Sequence, residues 1–291
     1  MAGVLPEFFR DDNLTFRCES VTIKKQEVVM ENYRQSNMQT IDRWVEGGWV
    51  WGTPVTAKEC EKARAGEWDV VLTPKKPVPK EWFGELAGKK LLGLASGGGQ
   101  QMPIFAILGA DCTVMDLSDK QLASEKMVAE RECYSIDIVK ADMTEIFPFP
   151  ENFFDIIFHP VANCYIEDVR HLWRECYRVL KPGGVLLAGM DNGMNYLFED
   201  DTAETLTVTE RLPYNPLKNP AQMAKLNVAE DGVQFSHTFE EQIGGQLAAG
   251  FAITAAYEDY NHDPSGNTPS TMTAWGIPAF WATRAIKLDK F

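Results

Sequence analysis

The stretch Lys90-Leu-Leu-Gly-Leu-Ala-Ser-Gly-Gly-Gly-Gln-Gln101 decides the fold. Its apolar run, Leu91 to Ala95, ends in three consecutive glycines, and a helix-compatible segment from Gln101 to Leu108 follows. This is the pattern of a buried strand entering a helix through a loop whose bare backbone lets a ligand approach closely. Asp116 closes the next apolar run, 19 residues after Gly97. A carboxylate so placed suits the hydroxyls of a ribose, and the pair reads as a nucleoside site. The plain alternative is that Gly97-Gly-Gly99 is just a tight strand-to-helix turn. A dinucleotide fingerprint also wants a glycine three positions after Gly99, where this chain has Met102, so the pyrophosphate signature is incomplete.

Outward from the loop, strand-like and helix-like segments alternate, as in a parallel sheet covered on both faces. Cys112 to Leu117 reads as a second strand, with Ser118 as N-cap of a helix over Asp119 to Arg131. Ile136 to Lys140 and Phe153 to Phe158 supply two more strands. Glu167 to Leu180 is amphipathic, with Val169, Leu172, Trp173, Cys176 and Tyr177 near a helical rhythm. Lys181-Pro-Gly-Gly184 ends that helix before a fifth strand, Val185 to Met190. A polar segment over 191–238, with Pro213, Pro216 and Pro220, reads as an insertion shaping a site. A helix over Phe239 to Ala249 and strands near Phe251 to Tyr257 and Ala279 to Ile286 complete the pattern. Residues 1–80 lie outside the alternation and read as an N-terminal cap, joined at Pro74, Pro77 and Pro79 to a catalytic domain over 81–291.

Composition narrows the partners. With 28 Lys and Arg against 42 Asp and Glu, the net charge of −14 repels a polyanion, so nucleic acid is not expected. Lys24-Lys25, Lys75-Lys76 and Lys89-Lys90 are scattered pairs of solvated surface. The six cysteines (18, 60, 112, 133, 164, 176) form no C-x-x-C pair, and no metal is expected. Met1 to Asp12 does not read as a secretory signal, and no apolar run approaches the ~20 residues that span a bilayer. A reducing cytoplasmic setting is expected, and a homodimer is compatible with it.

Several motifs, in order, resemble the class I S-adenosylmethionine-dependent methyltransferases, over roughly Lys89 to Lys287. Leu91-Leu-Gly-Leu-Ala-Ser-Gly-Gly-Gly99 resembles that family's glycine-rich loop, and Val114-Met-Asp-Leu-Ser118 its second-strand motif. Ala141-Asp-Met143 is similar to its adenine site, and Phe154-Asp-Ile-Ile-Phe158 to its fourth strand. Arg174-Glu-Cys-Tyr-Arg-Val-Leu-Lys-Pro-Gly-Gly184 is close to the helix-turn-strand signature of the small-molecule branch. The resemblance implies a Rossmann-like seven-stranded, mostly parallel sheet with helices on both faces and the last strand antiparallel. It implies S-adenosylmethionine as cofactor and a small organic acceptor. The cofactor site it implies comprises Ala95, Ser96, Gly97, Gly98, Gly99, Gln100, Gln101, Asp116, Leu117, Gln121, Asp142 and Met143. Asp116 would meet the ribose, Asp142 the exocyclic amine and the Met143 backbone a ring nitrogen. One departure stands out: Gly93 occupies the place of the family's first-strand carboxylate, for whose contact Gln100, Gln101 or a backbone carbonyl could substitute.

The acceptor side is expected past the fourth strand, in Phe158-His-Pro-Val-Ala-Asn-Cys-Tyr165. His159 is the candidate general base; its alternative is a backbone-bonded histidine fixing the turn before Pro160. Asn163 and Tyr165 are candidate substrate contacts or local turn anchors. In the cap, Tyr33 and Trp51 are lid candidates, while Trp44 reads mainly as packing. Tyr257-Glu-Asp-Tyr-Asn-His262 borders the pocket or forms a plain strand end, and Glu199 to Asp201 reads as a solvated loop. Two other functions fit the same fold: an NAD(P)-dependent oxidoreductase, disfavoured by Met102 and Ala141-Asp-Met143, and a non-catalytic S-adenosylmethionine-binding module, favoured by Gly93.

Overall fold

The computed structural model describes residues 32–260 and 270–288. The Met1–Asp12 segment read for a signal, Cys18, the Lys24-Lys25 pair and Asn261-His262 of the late aromatic segment lie outside the described residues. Seven strands build one sheet: β1 (Lys90–Leu94), β2 (Asp111–Asp116), β3 (Asp137–Lys140), β4 (Phe154–His159), β5 (Leu180–Asp191), β6 (Phe251–Asp259) and β7 (Phe280–Lys287). Their order is β3-β2-β1-β4-β5-β7-β6. Strands β1 to β5 pair in parallel, and β7 runs antiparallel to both its neighbours. The chain order therefore reverses between β1 and β4, the place where an open α/β sheet leaves a crevice.

Side-chain alternation explains the two covered faces. Leu91, Val114, Ile156, Phe158 and Leu187 join one core with α3 (Met102–Ile107) and Leu122 of α4 (Asp119–Glu132). Leu92, Leu94, Met115, Ile157, Leu186 and Met190 join the other, under α5 (Val169–Val179). Full burial of each Leu or Ile contributes about 1.5–3 kcal/mol. Ser118 caps α4 by accepting from Gln121 N–H, and Asp168 caps α5 by accepting from Arg170 and His171 N–H.

One turn differs from its expectation. Strand β5 starts at Leu180, directly after α5, and Lys181-Pro-Gly-Gly184 sits inside it. Phe154 pairs with Leu180 and Ile156 with Val185, so the turn residues bulge out of the ladder. The helix expected over 239–249 is a π turn, Glu240–Gly244, followed by α8 (Gly245–Ala249).

The N-terminal part is stitched to the insertion. Helix α1 (Tyr33–Glu46) lies against α4 and against α7 (Val228–Asp231), while α2 (Ala57–Arg64) packs on α3. The remaining helices are α6 (Pro220–Lys225) and α9 (Thr271–Ala274). Asn37 of α1 donates to Val233 O (2.8 Å) and accepts from Val233 N–H (2.6 Å). Thr40 donates to Val228 O, Arg43 to Ala229 O and Trp44 Nε1 to Glu230 O. Residues 68–83 form a strap whose Val70, Leu72, Val78, Trp82 and Phe83 belong to the α3 core, so the prolines expected as a joint lie on folded chain. No helix among the described residues is long and apolar enough to cross a membrane.

Candidate active site

A cavity of about 550 Å³ opens at the carboxyl ends of β1, β2, β4 and β5, roofed by α1, the strap and the insertion. On the β1–β2 side, Ala95, Ser96, Gly97, Gln100, Gln101, Asp116, Leu117 and Gln121 line it, and past β3 so do Asp142 and Met143. The Asp116 carboxylate accepts from Gly97 N–H (3.1 Å) with one oxygen and from Ser118 N–H (2.9 Å) with the other. Withdrawal from water pushes its pKa up, opposed by those hydrogen bonds. Each oxygen keeps acceptor capacity for a further donor. Asp142 accepts from Thr144 N–H and Oγ1, both at 2.8 Å, through Oδ1, and its Oδ2 lies 3.4 Å from the Arg34 guanidinium.

The loop can be nothing but glycine where it meets α4. A Cβ at Gly97 would lie 2.7 Å from Gln121 Cβ, and one at Gly99, where φ is +67°, would lie 2.7 Å from Val128 Cγ2. Gly98 and Gly99, expected to line the cofactor site, do not line the cavity: Gly98 N–H donates to Gln121 O, and Gly99 N–H donates to Glu125 Oε2 at 3.0 Å. They form the back of the loop. Gln100 and Gln101 face the cavity but also moor the roof, Gln100 Nε2 donating to Val50 O (2.8 Å) and Gln101 Oε1 accepting from Val71 N–H (3.1 Å).

At Gly93 the space a side chain would take is filled by Met102, whose Sδ would stand 2.3 Å from a Cβ there. Support for the loop comes from the opposite side, through Glu125 of α4. That fully buried carboxyl also accepts from Tyr134 OH at 3.0 Å, and burial raises its pKa to about 7. The folded value lies above the unfolded one, so its contribution is present below about pH 4.5 and is lost as pH rises through about 7. Wild-type stability is expected to fall by on the order of 3 kcal/mol across that window. Glu125→Gln should flatten the slope. Urea midpoints of both proteins at pH 5 and pH 8 check this; equal slopes would refute it.

The segment past β4 corrects several expectations. His159 is fully buried and does not line the cavity. Its Nδ1 lies 2.9 Å from Leu94 O, its ring meets Trp173 edge-on, and desolvation lowers its pKa to about 4. On β4 it shares the face of Ile157, which packs under α5, so it bridges strand ends rather than serving as a base in the cavity. Asn163 is likewise buried, donating to Gln242 Oε1 at 2.9 Å away from the cavity. Tyr33 is no lid: its ring packs on Phe235, and its hydroxyl accepts from Glu167 N–H at 3.3 Å. Trp51 and Tyr165 do line the cavity, and Trp44, expected mainly to pack, lines it too beside Trp49.

Sequence reasoning missed Asp191, Asn195, Tyr196 and Gln234, all of which line the same cavity. Asp191 closes β5, is 5% exposed, and accepts from Gly193 N–H and Asn195 Nδ2, both at 2.6 Å. Burial raises its pKa to about 6. The available signal was its place at a strand's carboxyl end; the glycine loop and Asp116 drew attention to the other half of the sheet.

Two buried atoms ask for a ligand: Ser96 Oγ and Gln121 Oε1 have no hydrogen-bond partner, and both residues line the cavity. A glycine turn beside the Asp116 carboxylate at the switch point of this strand order is the arrangement expected of a methyltransferase that uses S-adenosylmethionine, and the comparisons with known proteins agree. The methyltransferase domain family matches residues 92–188. Uncharacterized methyltransferase YbaJ of Bacillus subtilis is 43% identical over 227 residues, covering 77% of this chain and 89% of that protein. A sterol 24-C-methyltransferase of Aspergillus fumigatus is 33% identical over 101 residues, 34% of this chain and 26% of that protein. The crystal structure of an S-adenosylmethionine-dependent methyltransferase from Mesorhizobium loti shares the fold, with a TM-score of 0.54 and 22% identity over 71% of this chain and 94% of that one. The chain belongs to the class I S-adenosylmethionine-dependent methyltransferases.

Proposed function

We propose that the cavity transfers a methyl group to a small organic acceptor, with the donor over β1, β2 and β3 and the acceptor beyond β4 and β5. Asp116 holds the ribose hydroxyls, Asp142 Oδ2 the exocyclic amine and the Met143 backbone a ring nitrogen. Ala95, Ser96 and Gly97 face the methionine end, Ser96 Oγ and Gln121 Oε1 gaining the partners they lack, and Leu117 borders the ribose. When bound, S-adenosylmethionine supplies a methyl carbon on a sulfonium, which the acceptor's lone pair takes as the carbon–sulfur bond breaks and its electron pair stays on sulfur. The protein's own work is to align the acceptor and keep water out, which Trp51, Tyr165 and the α1–insertion seam are placed to do.

The unpartnered Ser96 Oγ beside the engaged Asp116 carboxylate is the observation that carries this reading. Residues 1–80 act as a cap on a catalytic unit over 81–291, whose 191–238 insertion completes the acceptor wall. The net charge of −14 favours a small molecule over nucleic acid. Calorimetric titration tests the donor assignment. S-adenosylhomocysteine is expected to bind and NAD and NADP are not; the reverse would establish the oxidoreductase alternative. S-adenosylhomocysteine binding without turnover on any acceptor would leave a binding module.

A further inference from the structure

We propose that the acceptor end of the cavity is built for an amine, held as its ammonium against the Asp191 carboxylate; this rests on the methyl-transfer reading above. Asp191 is almost wholly withdrawn from bulk water yet faces the cavity. Its two oxygens are met by a backbone N–H and an amide, both neutral donors. No Lys, Arg or His side chain among the described residues forms an ion pair with it. A buried carboxylate ordinarily has a cationic partner, because leaving its charge unpaired is costly.

The described residues lining the cavity do not supply that charge. The ionisable groups facing Asp191 are Cys164, Tyr165 and Tyr196, all pushed toward their neutral forms by burial. Among the described residues, Arg34 is the cationic side chain lining the cavity, and it is engaged by Asp142 and Glu145 beside β3, with three strands between β3 and β5. Asp116, Asp142 and Asp191 therefore outnumber it on the wall. A carboxylate acceptor would enter against this field, and an alcohol would leave Asp191 uncompensated. An ammonium brings both the missing charge and N–H donors, and the rings of Tyr165 and Tyr196 offer π faces to it.

The same carboxylate serves the chemistry. An ammonium has no free lone pair, so one N–H proton must pass to an Asp191 oxygen while the electrons of that N–H bond stay on nitrogen. That lone pair is the one that takes the methyl carbon. The product is again an ammonium, and the proton on Asp191 leaves to water, restoring the carboxylate.

The test is binding to protein saturated with S-adenosylhomocysteine, using shape-matched sets of alkyl and phenylalkyl amines, alcohols and carboxylates. Amines are expected to bind at least tenfold more tightly than their matched alcohols and carboxylates. Asp191→Asn should erase most of that preference while changing the S-adenosylhomocysteine Kd less than twofold. In the unaltered protein, amine affinity should fall as pH drops from 7.5 to 5, because the carboxylate, with its pKa at about 6, is neutralised. Preference for alcohols or carboxylates, no amine binding, or an amine preference that survives both Asp191→Asn and low pH would overturn the proposal. So would an Asp191→Asn variant that loses S-adenosylhomocysteine, since the carboxylate would then serve the donor's own ammonium. Failure of the wild type to bind S-adenosylhomocysteine would instead bring down the methyl-transfer reading.

Discussion

Asp116→Ala is expected to weaken S-adenosylhomocysteine binding by about 100-fold. Hydrogen bonds to a charged acceptor contribute about 1.5–3 kcal/mol each. Losing those to two ribose hydroxyls removes roughly 3 kcal/mol, or about two powers of ten in Kd. The loop adds to the loss: Gly97 N–H and Ser118 N–H both rest on Asp116, so without it the turn loses its inner brace. Asp116→Asn keeps one carbonyl acceptor and should fall between the two. Calorimetry on all three proteins, with thermal melts to show that the fold persists, decides the matter. An unchanged Kd in the alanine variant would remove Asp116 from the donor site.

Gly189→Ala carries the largest expected effect on stability. Its Cβ would stand 2.1 Å from Leu72 O and 3.1 Å from Val161 N, and both are backbone atoms that no rotamer change can move aside. The strap must shift off β5, breaking the 3.0 Å hydrogen bond from Val161 N–H to Leu72 O. Overpacking costs about 1–3 kcal/mol, and stranding a buried backbone pair adds a similar amount. A loss of about 3 kcal/mol should lower the melting temperature by roughly 6–12 °C in a chain of this size. Because Leu72, Thr73 and Pro74 line the cavity, acceptor binding should weaken along with the fold. A melting temperature within 1 °C of the wild type's would show that the strap does not seat on Gly189 as described.

Much of the architecture was legible because its signals are local. The alternation of apolar runs with capped helices placed every strand to within a few residues, except β5, where a turn motif proved to be a bulge. The wall of the cavity nearest β1, β2 and β3 was legible for the same reason. Its residues follow β1, β2 and β3 directly, and a strand's carboxyl end has one place to point in a parallel sheet. His159 shows where this stopped. It too ends a strand, but the period of two along β4 puts it with Ile157 beneath Trp173. That parity was readable, and the residue's chemistry overshadowed it.

Local patterns in the sequence placed the strands and helices and set the glycine loop and Asp116 at the ends of β1 and β2, since each such pattern spans a few dozen residues at most. Which residues meet across the cavity beyond β4 and β5 was settled by tertiary packing. Asn37 and Val233 are 196 positions apart, and their paired hydrogen bonds close α1 onto the insertion. Asp191 faces a cavity that Trp44, Trp49 and Trp51, from more than a hundred positions earlier, also line. No periodicity records such meetings, because they depend on how separately folded segments pack across the sheet's edge. The glycine loop was visible from its own residues, whereas its brace, Glu125, became visible only once α4 had docked behind it.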